Sequence, residues 1–98
     1  MTKYVLAFRS PKNYTPGGDE TMAQWQSFFE GLAGHIVDPG NPVYSRTSVG
    51  DCGSDVNPLG GYTVIQADDI EAAATLAKGC PFLAIGGGVE VGEITELM

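Results

Sequence analysis

Basic residues are scarce in this sequence. Five lysines and arginines stand against twelve aspartates and glutamates, which gives a formal net charge of −7. The bases are scattered along the chain and form no run. An acidic surface repels phosphate backbones and anionic lipid headgroups. We therefore expect no nucleic-acid partner and no binding to a membrane.

Long hydrophobic runs and clustered cysteines are missing as well. No apolar stretch approaches the ~20 residues of a membrane-spanning helix, and the first residues do not resemble a secretory leader. The two cysteines, Cys52 and Cys80, lie far apart and do not match the spacing of a zinc site. We expect a cytoplasmic protein with free thiols, no metal and no cofactor.

The hydrophobic fraction of 43% over 98 residues is that of an ordinary globular protein. This length corresponds to one domain, which we assign to residues 1–98. Such a small domain buries a thin core, so association that covers an apolar surface would stabilise it.

The first half of the chain shows a strand, a helix and a second strand. Tyr4 to Phe8 is apolar at every position, which predicts a strand buried on both faces. Apolar residues then recur at helical spacing; they are Met22, Trp25, Phe29, Leu32 and Ile36. This predicted helix stops near Gly34. Asp38 to Pro42 is turn material, and Val43 to Val49 alternates weakly, which predicts a polar edge strand.

The second half repeats the pattern. Leu59 to Gln66 predicts another apolar strand, and the segment from Asp68 to Gly79 predicts a helix that is rich in alanine. Val89 and Val91 alternate with polar residues in a last strand, and a bulge is expected near Gly92.

The element order β-α-β-β-α-β predicts an α+β, ferredoxin-like sandwich with a four-stranded antiparallel sheet. Right-handed crossovers place both helices on one face of that sheet. The reverse face is then bare and apolar, which predicts a homodimer that covers it.

Several segments resemble the YCII-related domain family. They are Lys3 to Leu6, Gly40-Asn41-Pro42, the run from Leu59 to Ala73, Gly79-Cys80-Pro81 and Val89-Glu90-Val91. The resemblance implies a ferredoxin-like fold assembled as a dimeric α/β barrel. Members of the family are mostly uncharacterised, and a His–Asp pair in a pocket has been proposed as the active site of some.

The sequence departs from the family pattern where that pair is expected. The first helix carries no histidine, and Cys80-Pro81-Phe82 stands where an Asp-Pro-Tyr motif is common. The segment Asp51-Cys52-Gly53-Ser54 replaces the Asp-Gly-Pro-Phe motif of one branch. The fold carries over from the resemblance, whereas the proposed catalytic pair does not.

His35 and Asp38 are the candidate catalytic residues. The single histidine of the chain precedes Asp38 by three positions, and the two could meet across a turn. A carboxylate would orient the imidazole as a general acid–base. The alternative is a solvated histidine at the end of a helix, where the helix dipole favours a cation.

Arg46 and Tyr62 are the candidate ligand-binding residues. Arg46 is the one base inside a predicted strand, and its planar fork suits a carboxylate or phosphate; the alternative is a surface pair with Asp51 or Glu90. Tyr62 would donate a hydrogen bond from a cavity wall, or else pack across strands.

Two functions remain open on the sequence. One is a small-molecule binding protein, with or without acid–base catalysis, that has a pocket between sheet and helices. The other is a non-catalytic dimeric interaction module, which the missing helix histidine favours.

Overall fold

Strands and helices follow one another along the chain in the order β-α-β-β-α-β that the sequence predicts. The computed structural model describes residues 1–12, 14, 19–53 and 56–97, with the backbone alone for 19–21. The elements are β1 (Thr2–Arg9), α1 (Asp19–Leu32), β2 (Ile36–Pro42), β3 (Leu59–Ala67), α2 (Ile70–Ala77), a 3₁₀ helix (Pro81–Ile85) and β4 (Gly88–Glu93).

The four strands form one sheet in the order β2-β3-β1-β4, and all neighbouring strands are antiparallel. β1 and β3 occupy the centre, as expected for the two most apolar segments. This topology confirms the α+β, ferredoxin-like fold.

The core lies on the helix-covered face of the sheet. Alternate residues of β1 point there, and Tyr4, Leu6 and Phe8 are 2%, 0% and 3% exposed. α2 adds Ala73 and Ala77 to the same buried cluster. Residues between them in β1 are only half-buried because they face the reverse side of the sheet.

The second strand lies seven residues earlier than the sequence predicts, at Ile36–Pro42, and the segment from Val43 to Val49 forms no strand. The predicted turn residues Pro39, Gly40 and Pro42 are inside β2. An edge strand tolerates proline because one side of its backbone needs no ladder partner. Register shifts on both sides of Asp38 accommodate the left-handed Gly40.

The bulge is also in a different place. β1 and β4 pair without interruption through Gly92. The β1–β3 ladder instead runs from Phe8 opposite Gly61 to Arg9 opposite Leu59, which leaves Gly60 as the extra residue. A bulge in the ladder redirects nearby side chains, and this one lies where the two central strands end.

The apolar face of α1 is rotated relative to the predicted stripe. Met22 is 67% exposed, whereas Phe28 is 6% exposed and belongs to the core. Ile36, the last residue of the predicted stripe, lies in β2. The helix ends at Leu32, close to the predicted stop, and Gly34 adopts a left-handed conformation (φ 89°) that turns the chain into β2.

The two helices lie at different distances from the sheet. The backbone of α2 approaches β1, β3 and β4 closely, while that of α1 makes its main close approach to the 3₁₀ helix. Small alanines allow the first arrangement, and the aromatic side chains of α1 require the second. Neither helix described here has the length and apolar character to cross a bilayer.

Candidate functional site

A cavity of about 820 Å³ lies under α1, where the sheet and the helix diverge. This volume is in the range of small-molecule sites. Its walls come from the end of β1, from α1, from β2 and the segment after it, from the start of β3 and from the 3₁₀ helix. The aromatic lining residues are Phe8, Tyr14, Trp25, Phe29, Tyr44, Tyr62 and Phe82.

Trp25 is the centre of the aromatic wall. Its ring meets those of Phe8 and Phe82 edge to face, with centroids 5.1 Å and 4.9 Å away. Phe82 in turn holds Tyr14 edge to face at 5.0 Å. Edge-to-face contacts of this kind stabilise one arrangement of rings, so the aromatic wall is preformed.

Arg46 is the one charged side chain among the described residues that line the cavity. It lies in the irregular segment after β2 and not in a strand. Its Nη1 donates to the carbonyls of Val43 and Leu59, at 2.8 Å and 2.9 Å. No described carboxylate comes within ion-pair distance of it. Glu90, one of the two surface partners considered from the sequence, is paired with Arg9.

Tyr62 lies at the β2 side of the cavity. Its hydroxyl is 3.4 Å from Asn41 Nδ2, which donates to it, and both residues line the cavity. Strand alternation directs its ring away from the core face, since Gly61 and Thr63 on either side are buried. Tyr62 therefore contacts the edge of the cavity and not its aromatic centre.

His35 is outside the cavity, in the connection between α1 and β2. Its Nδ1 is 3.2 Å from the carbonyl oxygen of Gln66. A carbonyl only accepts, so Nδ1 carries the proton in this bond. The His35 backbone also bonds to Leu32 and Gln66. The side chain thus ties the turn after α1 to the central strand β3.

Asp38 is exposed on the edge strand and does not meet His35. Its Oδ1 accepts a hydrogen bond of 2.8 Å from the backbone N–H of Gly40, two residues on. No hydrogen bond or ion pair joins Asp38 to His35, both of which the structure describes. The two candidate catalytic residues are therefore separate from each other and from the cavity, whereas Arg46 and Tyr62 both contact it.

A family model, that of the YCII-related domain, matches residues 19–98. The chain belongs to the YCII-related domain family. This confirms the family resemblance, and the match covers the segments from Gly40 onward that carry it. A search of curated proteins finds no match to this YCII-related protein.

Other chemical groups of this YCII-related protein do not converge. Within the described ranges, no three His, Cys, Asp or Glu side chains are placed to hold a metal ion. Cys80 is buried and Cys52 is exposed, and both are free. Burial raises the pKa of the Cys80 thiol, against the effect of the Phe82 and Leu83 backbone N–H groups. A neutral, enclosed thiol is a poor nucleophile.

Sequence reasoning missed most of the cavity wall of this YCII-related protein. Phe8 and Trp25 were read as core residues, and Phe82 was noted only as a departure from the family motif. Their periodicity is the same whether they fill a core or line a cavity. The one available signal was the density of rings in α1, since large side chains hold a helix away from its sheet.

Proposed function

We propose that this YCII-related protein binds a small organic anion with an apolar, ring-containing body. The observation that carries this proposal is the 820 Å³ cavity, whose one charged lining residue among those described is an arginine. In a chain of net charge −7, a cavity wall without a described acidic side chain is a local exception. Such a cavity wall favours a ligand of negative charge.

Arg46 is the anion anchor in this proposal. Its two bonds to main-chain carbonyls use only Nη1, and the guanidinium has five N–H donors. The remaining donors are available to a carboxylate or phosphate. Tyr62 is the neutral donor at the cavity edge, because its hydroxyl accepts from Asn41 and keeps its own proton to give.

The aromatic wall supplies the affinity for the ligand body. Trp25, Phe29 and Phe82 present ring faces and edges to the cavity. Burying an apolar ring against such a wall contributes roughly 25 cal/mol for each Å² removed from water. We therefore expect ring compounds to bind better than open-chain acids of equal charge.

The test is a thermal-shift screen of organic acids and their neutral analogues on the wild type and Arg46→Met. The variant keeps most of the side-chain length and removes the charge. We expect ring-containing acids to stabilise the wild type, and Arg46→Met to bind them roughly tenfold more weakly. Neutral analogues should bind both proteins equally.

Two control variants complete this screen. Arg9→Met removes an arginine that pairs with Glu90 outside the cavity, and His35→Ala removes the histidine. Both should keep the wild-type response to acids. A wild type that no organic acid stabilises, or an equal loss in Arg9→Met, would contradict the proposal.

Acid–base catalysis by His35 and Asp38 remains a prediction, and the geometry does not support it. His35 Nδ1 is engaged by Gln66 and Asp38 by Gly40. The missing contact is the specific observation that favours a non-catalytic role. A binding protein without turnover is therefore the second candidate, and it predicts that a ligand identified in the screen is recovered unchanged after incubation.

We also propose that the protein is a homodimer. The reverse face of the sheet presents Val5, Ala7 and Val64, which are only half-buried in the single chain. A second copy that packs on this face would exclude water from it. Sedimentation at micromolar concentration should give twice the mass of the chain, and Val64→Lys should give the monomer. The exposed Ala23→Lys is the control. A monomeric wild type would contradict this.

A further inference from the structure

Ser10 is a buried polar residue in the cavity wall that the sequence reading did not single out. It follows β1 directly, is 4% exposed and lines the cavity. Its backbone N–H donates to Pro58 at 2.8 Å, and its carbonyl accepts from Asn57 Nδ2 at 3.0 Å. Hydrogen bonds therefore hold the main chain on both sides of this residue.

Among the residues that the structure describes, no hydrogen-bond partner of the Ser10 hydroxyl is found. Both hydrogen bonds of the residue use backbone atoms. Yet among the described residues, no fully enclosed side-chain oxygen or nitrogen lacks a partner. Oγ must therefore reach open space, and the open space beside Ser10 is the cavity. A hydroxyl on a residue buried to this degree needs a partner, and a ligand in the cavity can take the place of solvent in that role.

The bulge in β3 makes room for this hydroxyl. A β-carbon on Gly60 would collide with Ser10 Oγ and would lie 3.1 Å from Phe82 Cε2. Glycine at this position thus leaves the volume that the hydroxyl occupies. The amide of Asn57 also bonds to the Gly86 carbonyl at 3.1 Å, which fixes the start of β3 to the end of the 3₁₀ helix.

Ser10 and Arg46 are held by consecutive residues of one segment. Ser10 bonds to the carbonyl of Pro58, and Arg46 bonds to the carbonyl of Leu59. Both side chains line the cavity. The start of β3 therefore positions a neutral donor and a cationic donor at the same end of the aromatic wall.

We infer that Ser10 is a ligand-binding residue and that the ligand carries a carboxylate. The inference rests on the proposed anion-binding function. Arg46 supplies one positive charge and Ser10 one O–H donor, which together match a monoanion with two oxygens. A phosphate dianion would leave a second charge without a described counterion in the cavity wall.

The test compares four related probes by calorimetric titration. Indole-3-carboxylate carries the ring and the carboxylate, its methyl ester removes the charge, indole removes the group altogether, and indoxyl phosphate replaces it by a dianion. The proteins are the wild type, Ser10→Ala, Ser10→Cys and Arg46→Met. Cysteine replaces the hydroxyl by a somewhat larger thiol, which is a weaker donor.

We expect Ser10→Ala to bind indole-3-carboxylate roughly tenfold more weakly, with a change below about twofold for indole. Ser10→Cys should fall between Ser10→Ala and the wild type. The thermal midpoint should stay within a degree or two, because the hydroxyl makes no hydrogen bond to the described residues. If Ser10 had a purely structural role, Ser10→Ala would instead lower the thermal midpoint and weaken the binding of all probes alike.

The outcomes separate the two proposals. If Arg46→Met binds indole-3-carboxylate more weakly and Ser10→Ala binds it as the wild type does, the Ser10 inference is wrong and the anion-binding function stands. An equal loss of indole and indole-3-carboxylate in Ser10→Ala also overturns the inference. Tighter binding of indoxyl phosphate than of the carboxylate overturns the ligand class. If the wild type binds none of the probes, both proposals fail.

Discussion

The helix-covered face of the sheet has two ends that are packed in opposite ways. At the α2 end, Ala73 and Ala77 bring the helix close to the sheet, and they are 0% and 4% exposed. At the cavity end, Trp25 and Phe29 hold α1 away from it, and a cavity of about 820 Å³ remains. The same layer of strands thus supports a closed core and an open one.

Side-chain size explains this difference. Methyl groups let two backbones approach until no space is left between them. Rings that meet edge to face leave part of the volume between helix and sheet empty, because they contact each other as well as the sheet. A cavity arises in this fold by placing large residues on one helix and small ones on the other.

The largest expected effect tests the aromatic wall. Phe82→Ala removes a ring that is 4% exposed and should destabilise the fold by about 3–5 kcal/mol. It also frees Trp25 and Tyr14 from their shared edge-to-face partner. Urea unfolding measures this. Leu83→Ala, at a neighbouring residue that is 46% exposed, is the control. An equal loss of stability there would show that the aromatic wall makes no special contribution to stability.

A smaller effect tests the closed end. Ala73→Leu inserts a larger side chain where the helix already touches the sheet, and should cost about 1–3 kcal/mol. The exposed Ala23→Leu on α1 should change stability by less than about 0.5 kcal/mol. Urea unfolding of both variants gives the comparison. A stable Ala73→Leu protein would mean that the α2 end also has free volume.

The smallest effect concerns pH. Burial raises the pKa of the Cys80 thiol in the folded state, so the unfolded chain loses this proton first as pH rises. The free energy of unfolding should therefore fall above about pH 8.5, where an unperturbed thiol ionises. Cys80→Ala should reduce this fall. Cys52→Ser, which replaces an exposed thiol, should leave it unchanged; equal slopes in all three proteins would exclude the Cys80 contribution.

The α2 end was the more predictable of the two. Its alanines, the acidic residue at its start and the glycine after it follow local rules. Asp69 accepts from the N–H of Ala72 at 2.8 Å, one residue after the start of the predicted helix segment at Asp68. The structure of the cavity end does not follow from the same local rules. Pro39 and Pro42 read as a turn, yet they form part of an edge strand because β3 supplies partners on one side.

The candidate site was predictable in part for the same reason. Arg46 and Tyr62 were chosen for their chemistry, and both contact the cavity. His35 and Asp38 were chosen for their short separation, but the actual start of β2 at Ile36 separates them along an extended strand. Ser10 carries no sequence signal, since the role that we infer for it depends on a bulge that lies fifty residues away at Gly60.

The amino-acid sequence by itself determined the order of strands and helices, the antiparallel sheet and the family, because hydrophobic periodicity and turn residues act locally. Only the tertiary structure decided which segment became the edge strand, where the ladder bulges and that the rings around Trp25 line a cavity. Those features depend on contacts between residues that are distant in the chain, and no local pattern encodes the volume left between two packed surfaces.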